Sequence, residues 1–131
     1  MNPALQQDLA RLALRVTLGA LILLHGIAKL NGGLAPIVGM VERAGFPGAF
    51  GYAVLVGEVL APLLLIAGFH ARIGGLLVAV NMLVAIFLAH MGEIVSLNRT
   101  GGWALELQAM FLVAGLVVAL TGPGRFSVNG R

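Results

Sequence analysis

The long apolar stretches of this sequence contain a few polar side chains that could carry chemistry. A charged group inside a bilayer is costly unless it is paired, so each is a candidate functional residue. Histidine and carboxyl groups can take up and release protons at membrane depth, and both can ligate metal ions. The polar set comprises Arg15, His25, Lys29, Glu58, Asn81, His90, Glu106 and Gln108.

Four apolar spans must position these side chains. Hydrophobic residues make up 60% of the 131 residues and charged residues 10%, against roughly 45–50% and 25% in soluble domains. About 20 apolar residues are needed to cross a hydrocarbon core of roughly 30 Å. This composition excludes a soluble enzyme and a typical nucleic-acid-binding domain. It predicts one all-α integral membrane domain over residues 1–131, an antiparallel four-transmembrane-helix bundle in the lipid bilayer, with helices at about 12–30, 50–69, 73–91 and 103–121.

The first loop, Asn31 to Ala49, is long and rich in glycine and proline. Pro36 stands where a helix would begin, and Gly45 and Pro47 stand where it would end. The sequence therefore predicts a short amphipathic helix in this first outer loop, in the membrane interface or tucked in as a lid. An irregular loop is the alternative.

The distribution of basic residues predicts the orientation. Placing both chain termini in the cytoplasm puts five basic residues inside and three outside, as the positive-inside rule favours. The inner set is Arg11, Arg15, Arg72, Arg125 and Arg131, and the outer set is Lys29, Arg43 and Arg99.

Depth along the spans predicts where the polar side chains meet. At about 1.5 Å per residue, Glu58 and Asn81 lie near the midplane, with His25 about 6 Å further out. His90 and Glu106 lie about 9–12 Å out, so the sequence predicts an outer-half pocket. Each residue also has a structural explanation: a protonated core carboxyl for Glu58, interhelical hydrogen bonds for His25 and Asn81, and a solvated rim position or an ion pair for His90 and Glu106. Arg15 and Lys29 are long enough to reach the interfaces, and Trp103 is typical of an interface anchor.

Three ligands suit such a pocket. A quinone needs a hydrogen-bonding group at each ring carbonyl and a route for its protons, which a histidine and a buried carboxyl group can supply. Haem would need His25 and His90 as ligands. A metal ion would draw on His25, Glu58, His90 and Glu106, although no H-x-x-E or E-x-x-H spacing joins any two of these four residues. The chain has no cysteine, so it lacks thiol chemistry, and electrons would have to come from a cofactor or a partner.

Several motifs, in order along nearly the whole chain, resemble the DoxX family of small four-helix bacterial membrane proteins. They are Arg15 with LHGIAKL, VGEVLAPLLLIAGFHAR, AIFLAHMGE, GGWALEL and GPGRFSVN. The resemblance implies a bacterial inner-membrane protein linked to redox functions. The related DoxD branch supplies the membrane subunit of a thiosulfate:quinone oxidoreductase. The family pattern marks His25, Gly26, Glu58, Arg72, His90, Trp103 and Glu106.

Together these observations predict the membrane subunit of a redox system that interacts with quinone. His25 and Glu58 are predicted to be catalytic residues that bind the quinone ring and transfer its protons. The predicted cofactor-binding residues are His25, Glu58, Asn81, His90, Trp103 and Glu106. The expected partner is another redox subunit, and a homo-oligomer stays open. The alternative is a non-catalytic metal-binding, haem-binding or anchoring module. A small-solute carrier fits less well, since four short helices leave little room for alternating access.

Overall fold

The computed structural model describes residues 2–33, 35–89, 92, 95–97 and 101–129. Within those residues the protein is all-helical apart from one isolated bridge, and five helices follow in chain order. They are α1 (Pro3–Gly32), α2 (Ala35–Arg43), α3 (Phe50–Ala67), α4 (Ala71–Ala89) and α5 (Glu106–Thr121).

Helix α1 begins nine residues before the predicted span. Asn2 is its N-cap and accepts a hydrogen bond from the Leu5 N–H, and Pro3 occupies the first turn. Both residues are strong signals for the start of a helix. The helix therefore begins in the polar segment before the apolar span, where a prediction from hydropathy alone does not place it.

The turn between α3 and α4 is tight, in keeping with the short gap between the predicted spans 50–69 and 73–91. Gly68 ends α3 in the left-handed conformation, with φ at 72°, and its N–H donates to the Leu64 carbonyl. His70 also has a positive φ, 49°, and its N–H donates to Asn129 Oδ1 at 3.2 Å. Three residues therefore suffice to connect the two helices.

Helix α5 begins at Glu106, three residues after the predicted span starts. Trp103 lies before it, in an isolated antiparallel bridge with Leu97. The tryptophan is therefore part of the connection between α4 and α5 and lies outside the helix itself.

Glycines permit the helices to approach closely. Gly19 of α1 lies against Pro62 and Ile66 of α3, and Gly26 lies against the Glu58 carbonyl. Along this contact, the residue numbers of α1 increase in the direction in which those of α3 decrease. Contacts also join α3 to α4, α4 to α5 and α5 to α1. A buried core that includes Leu18, Ile22, Leu65, Val78 and Phe111 fills the centre.

Helix α2 confirms the prediction of a helix in the first loop. Its buried residues are Ile37 and Val41, which pack with Val54 of α3 and against Val84 and Leu88 of α4. Glu42 and Arg43 are exposed. The apolar face of α2 is therefore tucked against α3 and α4.

Length and composition identify a membrane protein. Helices α1, α3 and α4 are each long and apolar enough to cross a bilayer, and α5 is a shorter apolar helix of 16 residues. Many large apolar side chains point outward, among them Leu24, Val56, Leu83 and Met110. Such a surface is suited to contact with lipid.

Arg15 holds together the end of the fold at which α1 begins and the final segment lies. This arginine is only 1% exposed. Its guanidinium donates to the carbonyls of Leu65, Ile66 and Phe126 at 2.7, 3.0 and 2.5 Å. The expectation that Arg15 extends to the interface is therefore wrong. The carbonyls at the C-terminal end of α3 and the final segment, Gly122–Asn129, provide acceptors for the arginine instead.

The contact between α4 and α5 predicts a sensitive substitution, Gly75→Ala. A Cβ at Gly75 would lie 2.5 Å from the Gly115 carbonyl oxygen, which is backbone and cannot move alone. Overpacking costs about 1–3 kcal/mol, which exceeds the gain of up to about 1 kcal/mol in helix propensity. We expect a lower thermal unfolding midpoint in detergent. The matched change Gly32→Ala, at a position with nothing within 4 Å, should leave the midpoint unchanged or higher. Equal midpoints for the two variants would contradict close helix contact.

Candidate functional site

A buried ion pair between Lys29 and Glu58 lies at the centre of the candidate site. The Lys29 ammonium contacts Glu58 Oε1, and the same oxygen accepts a hydrogen bond of 3.4 Å from Asn81 Nδ2. The Glu58 side chain is 4% exposed, whereas that of Lys29 is 34% exposed. One carboxylate oxygen thus joins residues from α1, α3 and α4.

The second oxygen of Glu58 is buried and has no hydrogen-bond partner within the described part of the chain. A buried carboxylate oxygen without a partner is costly. This atom therefore marks a place where a hydrogen-bond donor of a ligand or a water molecule would be stabilised.

Two glycines create the space for this cluster. Gly26 brings the α1 backbone against the Glu58 carbonyl, and Lys29 lies one helical turn beyond Gly26 on the same side. Gly57 lies against the Asn81 side chain, and a Cβ at Gly57 would be 2.9 Å from Asn81 Oδ1. Because the backbones of α1, α3 and α4 approach closely here, the side chains of Lys29 and Asn81 both reach Glu58.

A cavity of about 220 Å³ lies beside the ion pair. His25, Lys29, Glu58 and Gln108 supply its polar groups. Its apolar lining is Ile22, Met82, Ala85, Leu107 and Phe111. For comparison, an apolar cavity of about 150 Å³ can hold benzene. A single six-membered ring therefore fits this space.

His25 shares this cavity with Glu58, as the depth estimate predicts. Its ring lies edge-on to Phe111, with centroids 6.0 Å apart and an interplanar angle of 79°. The residue itself is exposed on the surface of the fold. His25 is therefore at the rim of the cavity.

The other predicted site residues are not placed in this cavity. The Glu106 carboxylate lies against Gly102, where a Cβ would be 2.5 Å from Oε2, and neither Glu106 nor Trp103 lines the cavity. His90 lies outside the described residues. Asn81 does not line the cavity and is linked to it only by its hydrogen bond to Glu58.

A metal centre would need several ligands close together. Among the residues that the structure describes, no group of three or more His, Cys, Asp or Glu could hold a metal ion. Of the four predicted candidates, His25 and Glu58 share the cavity. The described residues thus do not fit a metal ion, and a site that uses His90 stays a prediction.

Two polar residues of the cavity, Lys29 and Gln108, belong to the polar set of the spans but were not among the predicted site residues. Lys29 was expected to extend to the interface, but it pairs with Glu58. The signal was its spacing from His25, since residues four apart share one helix face. Gln108 lies two residues after Glu106, so it projects from a different side of α5. That offset does not tell which of the two residues faces the cavity, so no signal in the sequence could have placed Gln108 there.

The chain matches a known protein family. The sequence model of the family described as DoxX matches residues 10–91, which is more than half of the chain. This range contains α2, α3 and all three residues of the Lys29–Glu58–Asn81 cluster. No curated protein and no solved structure is significantly similar to the chain.

Proposed function

Since the chain belongs to the DoxX family, we propose that it is the membrane subunit of a redox system and binds quinone beside Glu58. The observation that carries this proposal is the Lys29–Glu58 ion pair at the wall of a ring-sized cavity. Charged groups inside a membrane protein are expensive and mark functional sites by default. The family membership supports a redox role, and the cavity supports a small planar ring as the ligand.

The proposal includes an antiparallel bundle of four membrane-spanning helices, α1, α3, α4 and α5, in the bacterial inner membrane. Helix α5 has 16 residues and is about 24 Å long, so the segment around Trp103 completes its crossing. The basic residues favour cytoplasmic termini. The cavity then lies in the outer half of the bilayer.

The proposed chemistry follows from the groups around the cavity. Reduction of a quinone to a quinol takes up two electrons and two protons at the carbonyl oxygens. Glu58 and His25 would hold and transfer these protons, and Lys29 would donate a hydrogen bond to a ring carbonyl. The electrons would come from a partner subunit, since the side chains offer no redox centre.

The proposal predicts that Glu58→Gln weakens quinone binding by at least about tenfold, the equivalent of about 1.4 kcal/mol. The substitution removes the charge that positions Lys29, and hydrogen bonds to charged groups contribute about 1.5–3 kcal/mol. Titration calorimetry with a one-isoprenoid quinone in nanodiscs measures the affinity. We expect His25→Ala to weaken binding as well.

The control is Glu42→Gln, which makes the same change at an exposed position of α2, away from the cavity. It should bind the quinone with unchanged affinity. If folded Glu58→Gln protein binds the quinone as tightly as the unmodified chain does, the assignment of the cavity is wrong. If the unmodified chain binds no quinone, a non-catalytic anchoring role is favoured.

A further inference from the structure

The Glu58 carboxylate gives the cavity a hydrogen-bond acceptor that is not yet used. In its ion pair with Lys29 this group is ionised, and an ionised carboxylate accepts hydrogen bonds but donates none. Oε1 already accepts from the Lys29 ammonium and from Asn81 Nδ2, whereas Oε2 is buried and has no partner in the described part of the chain. Among the described residues that line the cavity, Glu58 is the one acidic residue. A ligand that supplies a donor to Oε2 is therefore favoured over one that cannot.

The cavity also offers hydrogen-bond donors. The Lys29 ammonium carries three N–H groups, so it can donate to a ligand while it stays paired with Glu58. Lys29 contacts the same carboxylate whose second oxygen needs a donor. A ligand group that both donates and accepts at one atom therefore suits this pair, and a hydroxyl group on a ring has both properties.

The two oxidation states of a quinone differ in this respect. The quinone has two ring carbonyls, which only accept hydrogen bonds, whereas the quinol has two ring hydroxyls, each of which donates and accepts. A carbonyl placed against Oε2 would bring two acceptors together and leave the buried oxygen unsatisfied, which is costly. Both forms are single six-membered rings of nearly equal size, so the cavity of about 220 Å³ admits either one. Hydrogen bonding at Oε2, and not volume, therefore distinguishes them.

We propose that the cavity binds the quinol more tightly than the quinone, with a ring hydroxyl that donates to Glu58 Oε2 and accepts from Lys29. This inference rests on the proposed function and specifies the oxidation state that the site favours. Tighter binding of the reduced form raises the midpoint potential of the bound couple. The bound quinone is then easier to reduce than the quinone that is free in the membrane.

The test compares a one-isoprenoid quinone with its own quinol, by titration calorimetry in nanodiscs without oxygen. We expect the quinol to bind at least about tenfold more tightly, because a hydrogen bond to a charged acceptor replaces a contact between two acceptors. A tenfold ratio of the two affinities corresponds to a rise of about 30 mV in the midpoint potential of a two-electron couple. Potentiometric titration of the bound quinone measures that rise independently.

The variant Glu58→Gln should abolish the preference, since a side-chain amide offers a donor as well as an acceptor. Both affinities should fall, that of the quinol by the larger factor, so that the two become equal within about twofold. If Glu58 only maintained the structure, its replacement would weaken both forms equally and preserve the ratio. The matched control Glu42→Gln, at an exposed position outside the cavity, should keep the ratio of the unmodified chain.

A second pair of ligands tests the unmodified chain without any substitution. A para-alkyl phenol and its methyl ether share one ring, but only the phenol has a hydroxyl donor. We expect the phenol to displace bound quinol at a concentration at least about tenfold lower than the ether requires. If the ether competes equally well, or if quinone and quinol bind equally, the donor site at Oε2 is wrong while the quinone site stands. If neither quinone nor quinol binds, the proposed function fails and this inference fails with it.

Discussion

Replacing Lys29 with methionine is expected to lower the free energy of unfolding by about 3 kcal/mol. The change leaves the Glu58 carboxylate, which is 4% exposed, without its cationic partner. Removing one member of a buried pair costs about 3–5 kcal/mol, and the partial exposure of Lys29 favours the lower end. Unfolding in mixed micelles of a mild detergent and SDS measures the effect.

A double variant separates the pair from the packing around it. When Lys29→Met is combined with Glu58→Gln, no charge remains buried, and the amide oxygen introduced by the second substitution can accept the hydrogen bond from Asn81. We expect the double variant to recover most of the lost stability, because neutral replacement of a whole buried pair costs little. If the double variant loses the sum of the two single effects, Lys29 and Glu58 do not interact.

Replacing Arg15 with methionine is expected to cost at least about 2 kcal/mol and to release the C-terminal segment. Three carbonyls lose a charged donor, and hydrogen bonds of this kind are worth about 1.5–3 kcal/mol each. The Val128 amide, which donates to Ala67 at 3.1 Å, should exchange its hydrogen faster. Hydrogen–deuterium exchange of residues 122–129 and the thermal midpoint are the two readouts.

Two further variants make this prediction specific. Arg15→Lys keeps the charge but not the planar fork of donors, so it should restore only part of the exchange protection. Arg11→Met removes an arginine of the same helix whose ion pair with Asp8, at 3.6 Å, is more exposed, and surface pairs contribute little. Exchange protection at Val128 that survives Arg15→Met would show that the segment is held by other contacts.

The two ends of the fold use charged side chains differently. At the terminal end, Arg15 is surrounded by carbonyl acceptors, and Arg72 donates to the Ala119 and Leu120 carbonyls at the end of α5. Positive charge at helix C-termini is favourable, so these arginines stabilise structure. Arg15 Nε and the second oxygen of Glu58 are both buried without a partner among the described residues, but the Lys29–Glu58 pair borders a ring-sized cavity. That contrast is why the functional proposal concerns Glu58 and not Arg15.

Composition and local pattern determined the class of protein and its elements. The low charge content predicts membrane helices, and Pro36, Gly45 and Pro47 predict α2, because these properties depend on residues close together in the chain. The predicted bounds differ where a helix continues beyond its apolar portion, as at Pro3, or begins inside the predicted span, as at Glu106. The depth estimate also brought His25 and Glu58 to one cavity, because rise per residue is nearly constant.

Only the tertiary structure decided which polar groups meet. Depth gives a position along the membrane normal but no rotation about the helix axis, so it could not place Glu106 against Gly102 instead of in the cavity. The partner of Glu58 depended on Gly26, which sets how closely α1 approaches α3. Side chains tilt towards the N-terminus of their helix. Since α1 and α3 are numbered in opposite directions across their contact, Lys29 and Glu58 tilt towards each other, and that geometry exists only once the helices have packed.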